Sequence, residues 1–164
     1  MQNKIKLIVA ILIIVVIIFL GYLFVPKNMN SDKSGLKAAY KQWTTAVTTA
    51  KGNPISVKLL YSKDAVLLPT LSNDLLFKNV EIGEKDIGDY FIKFTSLPDL
   101  SVSTKELISR TYGDNVGTNV GFYTFSYTKN GKTIKLPARF SFVYLKDKNG
   151  DWKIIEHHSS VVPE

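Results

Sequence analysis

The adjacent residues His157 and His158 are the only histidines of the 164-residue chain and the first candidates for chemistry near neutral pH. A single histidine can act as an acid, a base or a hydrogen-bond donor. Neighbours along a strand point to opposite faces, so the two imidazoles cannot chelate one metal ion, and no cysteine completes a zinc set. We therefore predict no metal site. The alternative to a chemical role is a structural one, in which a histidine at the end of a strand forms its hydrogen bonds with the backbone or with an interface.

Arg139 is the second candidate, because it lies in the middle of an alternating segment, residues 137–145. Burying an arginine is costly unless a carboxylate, a carbonyl cluster or an anionic ligand pairs with it. Arg139 therefore either lines a ligand cavity, which is our expectation, or lies on the solvated face of the sheet. The alternation puts Ala138, Phe140, Phe142 and Tyr144 on one face and Arg139, Ser141 and Val143 on the other.

The last segment of the chain also alternates, and alternation alone does not decide which side faces inward. One side carries Trp152, Ile154, Glu156, His158 and Ser160, and the other carries Lys153, Ile155, His157 and Ser159. A serine nucleophile at Ser159 or Ser160 is a poor hypothesis, since neighbours along a strand cannot form the hydrogen bond that activates a hydroxyl.

Cofactor chemistry has no visible signature in this chain. The sequence contains no nucleophile elbow, phosphate loop, dinucleotide glycine fingerprint or metalloprotease helix, so we predict no cofactor. Gly113, Gly117 and Gly121 recur every four residues in a turn and strand context, which indicates bulge and packing glycines.

The elements that must position these residues follow from hydrophobic periodicity. Apolar positions at steps of three and four predict a helix from Leu36 to Ala50, a short helix after Pro54 and a third between Gly83 and Ser96. Period-two segments, with Asn-Gly turns at Asn130 and Asn149, predict a long antiparallel meander. Helices segregated from strands argue for an α+β fold. The predicted strands cover residues 65–68, 100–111, 116–128, 132–146 and 152–160.

A separate N-terminal segment precedes this domain. Residues 7–25 are 19 uncharged, mainly apolar residues, about the length that crosses a bilayer. The run is longer than a signal-peptide core and does not end in small residues, so we predict an uncleaved anchor. The predicted organisation is a basic tail at 1–6, a transmembrane helix at 7–25, a tether at 26–34 and one domain at 35–164. A slight lysine asymmetry favours a single-pass membrane protein with an extracytoplasmic domain.

The net charge of +7 could suggest a nucleic-acid partner. The lysines of the domain are instead spread singly from Lys37 to Lys153, and only Arg110 and Arg139 are arginines. A basic but unclustered surface is typical of a solvated domain, so we predict no nucleic-acid partner. The absence of cysteine excludes disulfides and thiolate chemistry.

Three segments of the chain are distinctive: residues 60–70 (LYSKDAVLLPT), residues 138–144 (ARFSFVY) and residues 152–160 (WKIIEHHSS) followed by Pro163. Together they resemble the bacterial branch of the calcium/calmodulin-dependent protein kinase II association-domain family, within the nuclear transport factor 2-like superfamily. The resemblance covers Leu36 to Glu164. It implies a cone-like α+β fold, with a curved antiparallel sheet wrapped around a long helix, that serves as an oligomerisation module.

The resemblance also implies a concave pocket in which arginines can hold a small carboxylate. Arg139 occupies the place of one such arginine, whereas Tyr123 and Ser159 occupy the places of two others. With His157 and Tyr61, these residues are the expected lining of a pocket for a small anionic or polar ligand.

Two functions from different classes follow. The first is a membrane-tethered, non-catalytic module that self-associates through its sheet face and holds a small ligand beside Arg139. The second is a cofactor-independent isomerase or dehydratase in which His157 is the base and Arg139 or Tyr123 stabilises developing negative charge. The enzyme hypothesis requires the side chains of His157 and Arg139 to point into one cavity.

Overall fold

The computed structural model describes residues 29–80 and 86–163. The predicted transmembrane helix at 7–25 lies outside these residues. Within the described part of the chain, no helix is both long enough and apolar enough to cross a bilayer.

Three helices and six strands make up the described domain. Helix α1 begins at Met29, not at Leu36, so residues 29–34 of the predicted tether are helical. These first turns have no apolar period in the sequence, so periodicity could not predict them; an ion pair between Asp32 and Lys146 joins them to the sheet. The elements in chain order are α1 (Met29–Thr49), α2 (Ile55–Lys58), β1 (Tyr61–Leu68), β2 (Phe77–Lys78), α3 (Ile87–Thr95), β3 (Ser101–Tyr112), β4 (Val116–Lys129), β5 (Lys132–Lys146) and β6 (Trp152–Val161).

The strands form one sheet in the order β2-β1-β6-β5-β4-β3. Antiparallel hairpins join β3 to β4, β4 to β5 and β5 to β6, which confirms the predicted meander and its two Asn-Gly turns. The expectation of a wholly antiparallel sheet is wrong, because β1 pairs with β6 in parallel. A parallel pair needs no tight turn, so no local sequence signal announces it.

Helix α1 packs against the inner face of this sheet through the apolar positions that the periodicity predicted. Leu36, Tyr40, Trp43 and Val47 are all buried. The core they enter is mainly aromatic, and Trp43 lies edge-on to Phe142 with 5.0 Å between ring centroids. Burial of large aromatic side chains is the main favourable contribution to the stability of such a core.

Two of the three register shifts in the described sheet set which side chains of β3, β4 and β6 face the core. The register of β3 against β4 shifts between Thr104 and Glu106. A Cβ atom on Gly121 would lie 2.0 Å from the carbonyl oxygen of Glu106, so only glycine fits there, as its interpretation as a bulge glycine predicted. The second shift lies in β6 at Ile155, opposite the step from Val143 to Tyr144.

Candidate functional site

The bulge at Ile155 decides which residues of β6 enter the core. Strict alternation would put Ile155 on the same side as His157 and Ser159. Because the bulge adds one residue, Ile154 is buried together with His157 and Ser159, whereas Ile155 is only half-buried. Two polar side chains of β6 therefore enter an interior that is otherwise aromatic.

A buried hydrogen-bonded chain connects His157 to helix α1. The indole Nε1 of Trp43 donates to the hydroxyl of Tyr61 at 3.0 Å, and this hydroxyl lies 2.8 Å from Nδ1 of His157. An indole nitrogen only donates, so the Tyr61 hydroxyl accepts from Trp43 and offers its own proton to Nδ1. This arrangement leaves the imidazole proton on Nε2. Among the described residues, Nε2 of His157 is the buried side-chain atom that lacks a hydrogen-bond partner.

Aromatic rings enclose the imidazole of His157 on several sides. The ring stacks on Phe142 with 4.0 Å between centroids and lies edge-on to Trp43 at 5.2 Å. Burial, with a smaller contribution from the charge of His158, lowers the pKa of His157 to about 3. The same burial raises the pKa of Tyr61 well above its ordinary value. Both groups are therefore neutral at physiological pH.

A second polar cluster lies beside the first and contains Ser159. The hydroxyl of Tyr123 donates to Oγ of Ser159 at 2.6 Å, and Ser159 also forms a hydrogen bond with Oγ1 of Thr70. Burial raises the pKa of Tyr123, so the phenol keeps its proton and acts as a donor. Ser159 is thus bonded to two hydroxyl groups, while the imidazole of His157, two residues earlier in the strand, is bonded to Tyr61. The pair does not form an activated nucleophile.

Arg139 does not join this group, contrary to our expectation. Its neighbours Ala138 and Phe140 are buried, so strand alternation turns Arg139 to the outer face, where it is exposed. Its Nε donates to Oγ of Ser160 at 3.0 Å across the strand pair. The aromatic neighbours fill the inner face of β5, and the arginine takes the solvated position. His157 and Arg139 lie on opposite faces, so the constellation that the enzyme hypothesis requires is not formed.

The other four predicted site residues, Tyr61, Tyr123, His157 and Ser159, do lie together in the interior. Surface hollows reach two of them from outside: one of about 510 Å³ touches Tyr61 and another of about 420 Å³ touches Tyr123. Neither hollow is lined by His157 or Ser159. In the part of the chain that the structure describes, no cluster of histidine, aspartate or glutamate side chains could hold a metal ion.

Sequence reasoning missed two members of the polar interior, Trp43 as a donor to Tyr61 and the buried Asn119. The amide nitrogen of Asn119 donates to the carbonyl oxygen of Leu36 at 2.8 Å and to the Tyr144 hydroxyl at 3.3 Å. An asparagine at an inward position of an alternating strand was the available signal, since a buried amide requires partners. Its partner lies 83 residues away in sequence, which no local pattern indicates.

A curved sheet wrapped around a long helix is the fold of nuclear transport factor 2-like domains. A protein of this superfamily from Salmonella enterica serovar Typhimurium LT2 superposes with a TM-score of 0.70 at 16% identity, covering 84% of this chain and 95% of its own. A ketosteroid isomerase-like protein from Erwinia carotovora atroseptica superposes with a TM-score of 0.64 at 15% identity, covering 82% and 99%. These two similarities show the fold alone.

The chain belongs to the calcium/calmodulin-dependent protein kinase II association domain family, whose sequence profile matches residues 32–163. A protein from Xanthomonas campestris that is provisionally described as such an association domain is 38% identical, with a TM-score of 0.69 over 79% of this chain and 86% of its own. No protein of curated function shows significant sequence similarity to the chain.

Proposed function

We propose that this protein is a membrane-tethered self-association module, acting as a scaffold and not as a catalyst. The observation that carries the proposal is the outer face of the sheet. Helix α1 packs on the inner face, and the outer face of β3 to β6 presents apolar side chains to solvent. Membership of the association-domain family supports the same function.

Strand register arranges this outer face in rows. One row joins Ile108, Val120, Ser141 and His158 across β3, β4, β5 and β6. Ile108 is 40% exposed, and its apolar neighbour in register, Val120, is half-buried. Phe122, two residues further along β4 on the same face, is 42% exposed. Adjoining apolar side chains that reach the surface are a feature of protein interaction sites.

The next row shows how charge complements the apolar side chains. Glu106 is in register with Phe122, and Phe122 with Arg139. Phe122 is 42% exposed between an acidic and a basic side chain, both exposed. In a two-fold interface the same patch meets itself, so a patch that carries both signs can place each acid against a base. We therefore assign Arg139 to the self-association surface.

The tether is proposed from the sequence of residues 7–25, whose uncharged length matches a bilayer. Lys4 and Lys6 precede the span, which supports a domain on the extracytoplasmic side. Deleting residues 1–25 should move the protein from the membrane fraction to the soluble fraction with its near-ultraviolet circular dichroism unchanged. A truncated protein that stays with the membranes would contradict the tether.

Self-association is tested on the full chain in detergent micelles by sedimentation velocity. Phe122→Glu replaces an exposed apolar side chain of the outer face by a charged one and should shift the protein toward monomer. The matched control is Leu75→Glu. Leu75 is 90% exposed, but it lies in the loop before β2 and is not part of the outer face of the sheet. A wild-type protein that is monomeric at high micromolar concentration would refute the proposal, as would equal effects of the two substitutions.

A further inference from the structure

We propose that one end of the domain lies against the headgroups of an anionic bilayer: the turn end, defined as the β3–β4 turn at residues 112–116 and the β5–β6 turn at residues 146–152. The inference rests on the proposed tether and adds to it an orientation and a contact surface. The position of helix α1 in the domain, and the number of residues between the span and this helix, carry the argument.

The first turn of α1 is fixed to the turn end by side-chain contacts. Nζ of Lys146, the last residue of β5, lies 2.5 Å from the carboxylate of Asp32, and both side chains are largely buried. The same Nζ lies 4.5 Å from the centre of the Trp152 ring, at the start of β6. Gly35 touches this ring so closely that a Cβ atom would lie 2.9 Å from the Trp152 Nε1.

The second turn of α1 follows the same strand ends. Gly117, the second residue of β4, leaves room for Leu36, whose Cδ1 would lie 2.6 Å from an added Cβ atom. The backbone oxygen of Leu36 accepts a hydrogen bond from Asn119 at 2.8 Å. A helix held by three strands cannot swing away from the turn end, so the start of α1 and the turn end form one rigid surface.

The connection from the proposed span to this surface is short. Only residues 26–28 separate the end of the span at Val25 from the start of α1 at Met29. Fully extended, the chain from Val25 to Met29 reaches at most about 14 Å. The headgroup layer of one leaflet is about 5–7 Å thick. The start of α1, and the turn end with it, must therefore lie at or just above the headgroups.

The side chains exposed at the turn end suit that location. Tyr112 is 54% exposed and Leu145 is 42% exposed. Tyrosine is favoured at the membrane–water boundary, where its ring and its hydroxyl meet different solvents. Lys33, Lys37 and Lys148 are exposed at the same end and can pair with anionic headgroups.

Acidic residues share the turn end and limit this electrostatic attraction. Asp114, Asp147 and Asp151 lie in the two turns. The carboxylate of Asp147 accepts backbone hydrogen bonds from Asn149 and Asp151, which hold its pKa below the ordinary value. It therefore stays charged. The short connection between the span and α1 therefore determines the contact of the turn end with the bilayer, and the exposed lysines strengthen it.

The opposite end of the sheet provides a matched control. The β4–β5 turn at Asn130 and Gly131 lies at the far end of β5, a 15-residue strand. At about 3.3 Å per residue this strand is roughly 45–50 Å long, which separates the two ends of the sheet. Lys129 and Lys148 are both exposed, and each directly precedes an Asn-Gly pair. Lys148 lies at the turn end, whereas Lys129 lies at the opposite end of the sheet.

The test uses the full chain, which has no cysteine of its own, as the variants Lys148→Cys and Lys129→Cys. Each variant carries a thiol-linked fluorophore and is reconstituted in phosphatidylglycerol/phosphatidylcholine vesicles with quenchers on headgroups of both leaflets. We expect quenching at Lys148 to exceed that at Lys129 severalfold. Equal quenching in vesicle-bound protein overturns the orientation alone. A protein that does not float with the vesicles overturns the tether and this inference with it.

Discussion

The hydroxyl of Tyr61 lies 2.8 Å from Nδ1 of His157 and bridges the one parallel strand pair of the sheet, β1 with β6. The same hydroxyl accepts the indole proton of Trp43 from helix α1. One oxygen atom therefore connects a helix and two strands inside an apolar core. In such surroundings a hydrogen bond contributes modestly, but leaving its partners unpaired is costly.

Removal of this hydroxyl should destabilise the domain strongly. Tyr61→Phe keeps the ring but leaves the Trp43 indole nitrogen and Nδ1 of His157 unpaired, so we expect a loss of about 2–4 kcal/mol in the free energy of unfolding. Urea titration followed by tryptophan fluorescence measures it. The control is Tyr112→Phe, which removes an exposed hydroxyl and should change stability by less than about 0.5 kcal/mol. Similar losses in both variants would contradict the role of the Tyr61 hydroxyl.

Stability should fall in mild acid because of His157. Its pKa is about 3 in the folded domain, and the ordinary value is 6.5. Between these two pH values the unfolded chain binds a proton that the folded chain does not. The contribution of His157 to the free energy of unfolding is therefore complete above the unfolded pKa and declines as the pH drops. The slope should approach about 1.4 kcal/mol per pH unit.

The measurement is the free energy of unfolding between about pH 5 and pH 7, where few carboxylates titrate. His157→Phe should reduce the slope. His158→Gln is the matched control, because His158 is the exposed neighbour and its replacement should leave most of the slope in place. If His157→Phe keeps the wild-type slope, the acid sensitivity comes from other groups.

The bulge in β3 should tolerate no side chain at Gly121. A Cβ atom there would lie 2.0 Å from a backbone oxygen, which cannot rotate away. Gly121→Ala should cost about 3 kcal/mol or more in unfolding free energy, as overpacking against backbone does. Gly113→Ala should cost only about 1–2 kcal/mol, because its positive φ is strained for alanine but the surrounding space is open. A smaller loss at Gly121 than at Gly113 would contradict the bulge geometry.

Arg139→Ala separates the surface role of Arg139 from a structural one. The side chain is exposed and bonded to Ser160, so the free energy of unfolding should change by less than about 0.5 kcal/mol. Sedimentation velocity should at the same time show weaker self-association of the full chain. An unfolded variant, or unchanged association, would remove Arg139 from the proposed interface.

Local patterns predicted the parts of the fold that local physics determines. The spacing of Leu36, Tyr40, Trp43 and Val47 gave the buried face of α1 because helical periodicity is written within a few turns. The Asn-Gly pairs indicated two hairpins, because turn formation depends on the φ angles of the turn's own residues. Asn130 and Gly131 both have positive φ, whereas in the longer β5–β6 connection only Gly150 of the pair does. The resemblance gave the fold class. It also grouped Tyr61, Tyr123, His157 and Ser159 as the lining of a ligand pocket, which stays a prediction; in the structure the four side chains are buried.

What could not be predicted depends on distant partners. The pairing of β1 with β6 joins residues about 90 positions apart, for example Leu67 with His157, and no turn sequence marks it. The bulge at Ile155 follows from the opposing strand β5, so alternation within β6 could not reveal it. Arg139 was compatible with either face until the partners of β5 were known, and the expected cavity position was the wrong one.

The place of β6 in the middle of the sheet has a consequence for biosynthesis. Strands β1 and β5 both lie against β6, which is synthesised after both of them. At about 5–20 residues per second, β1 waits roughly 5–20 s after its own synthesis for this neighbour. During that interval its edge is open to any other nascent chain. A truncation that removes residues 152–161 would therefore take a strand from the middle of the sheet.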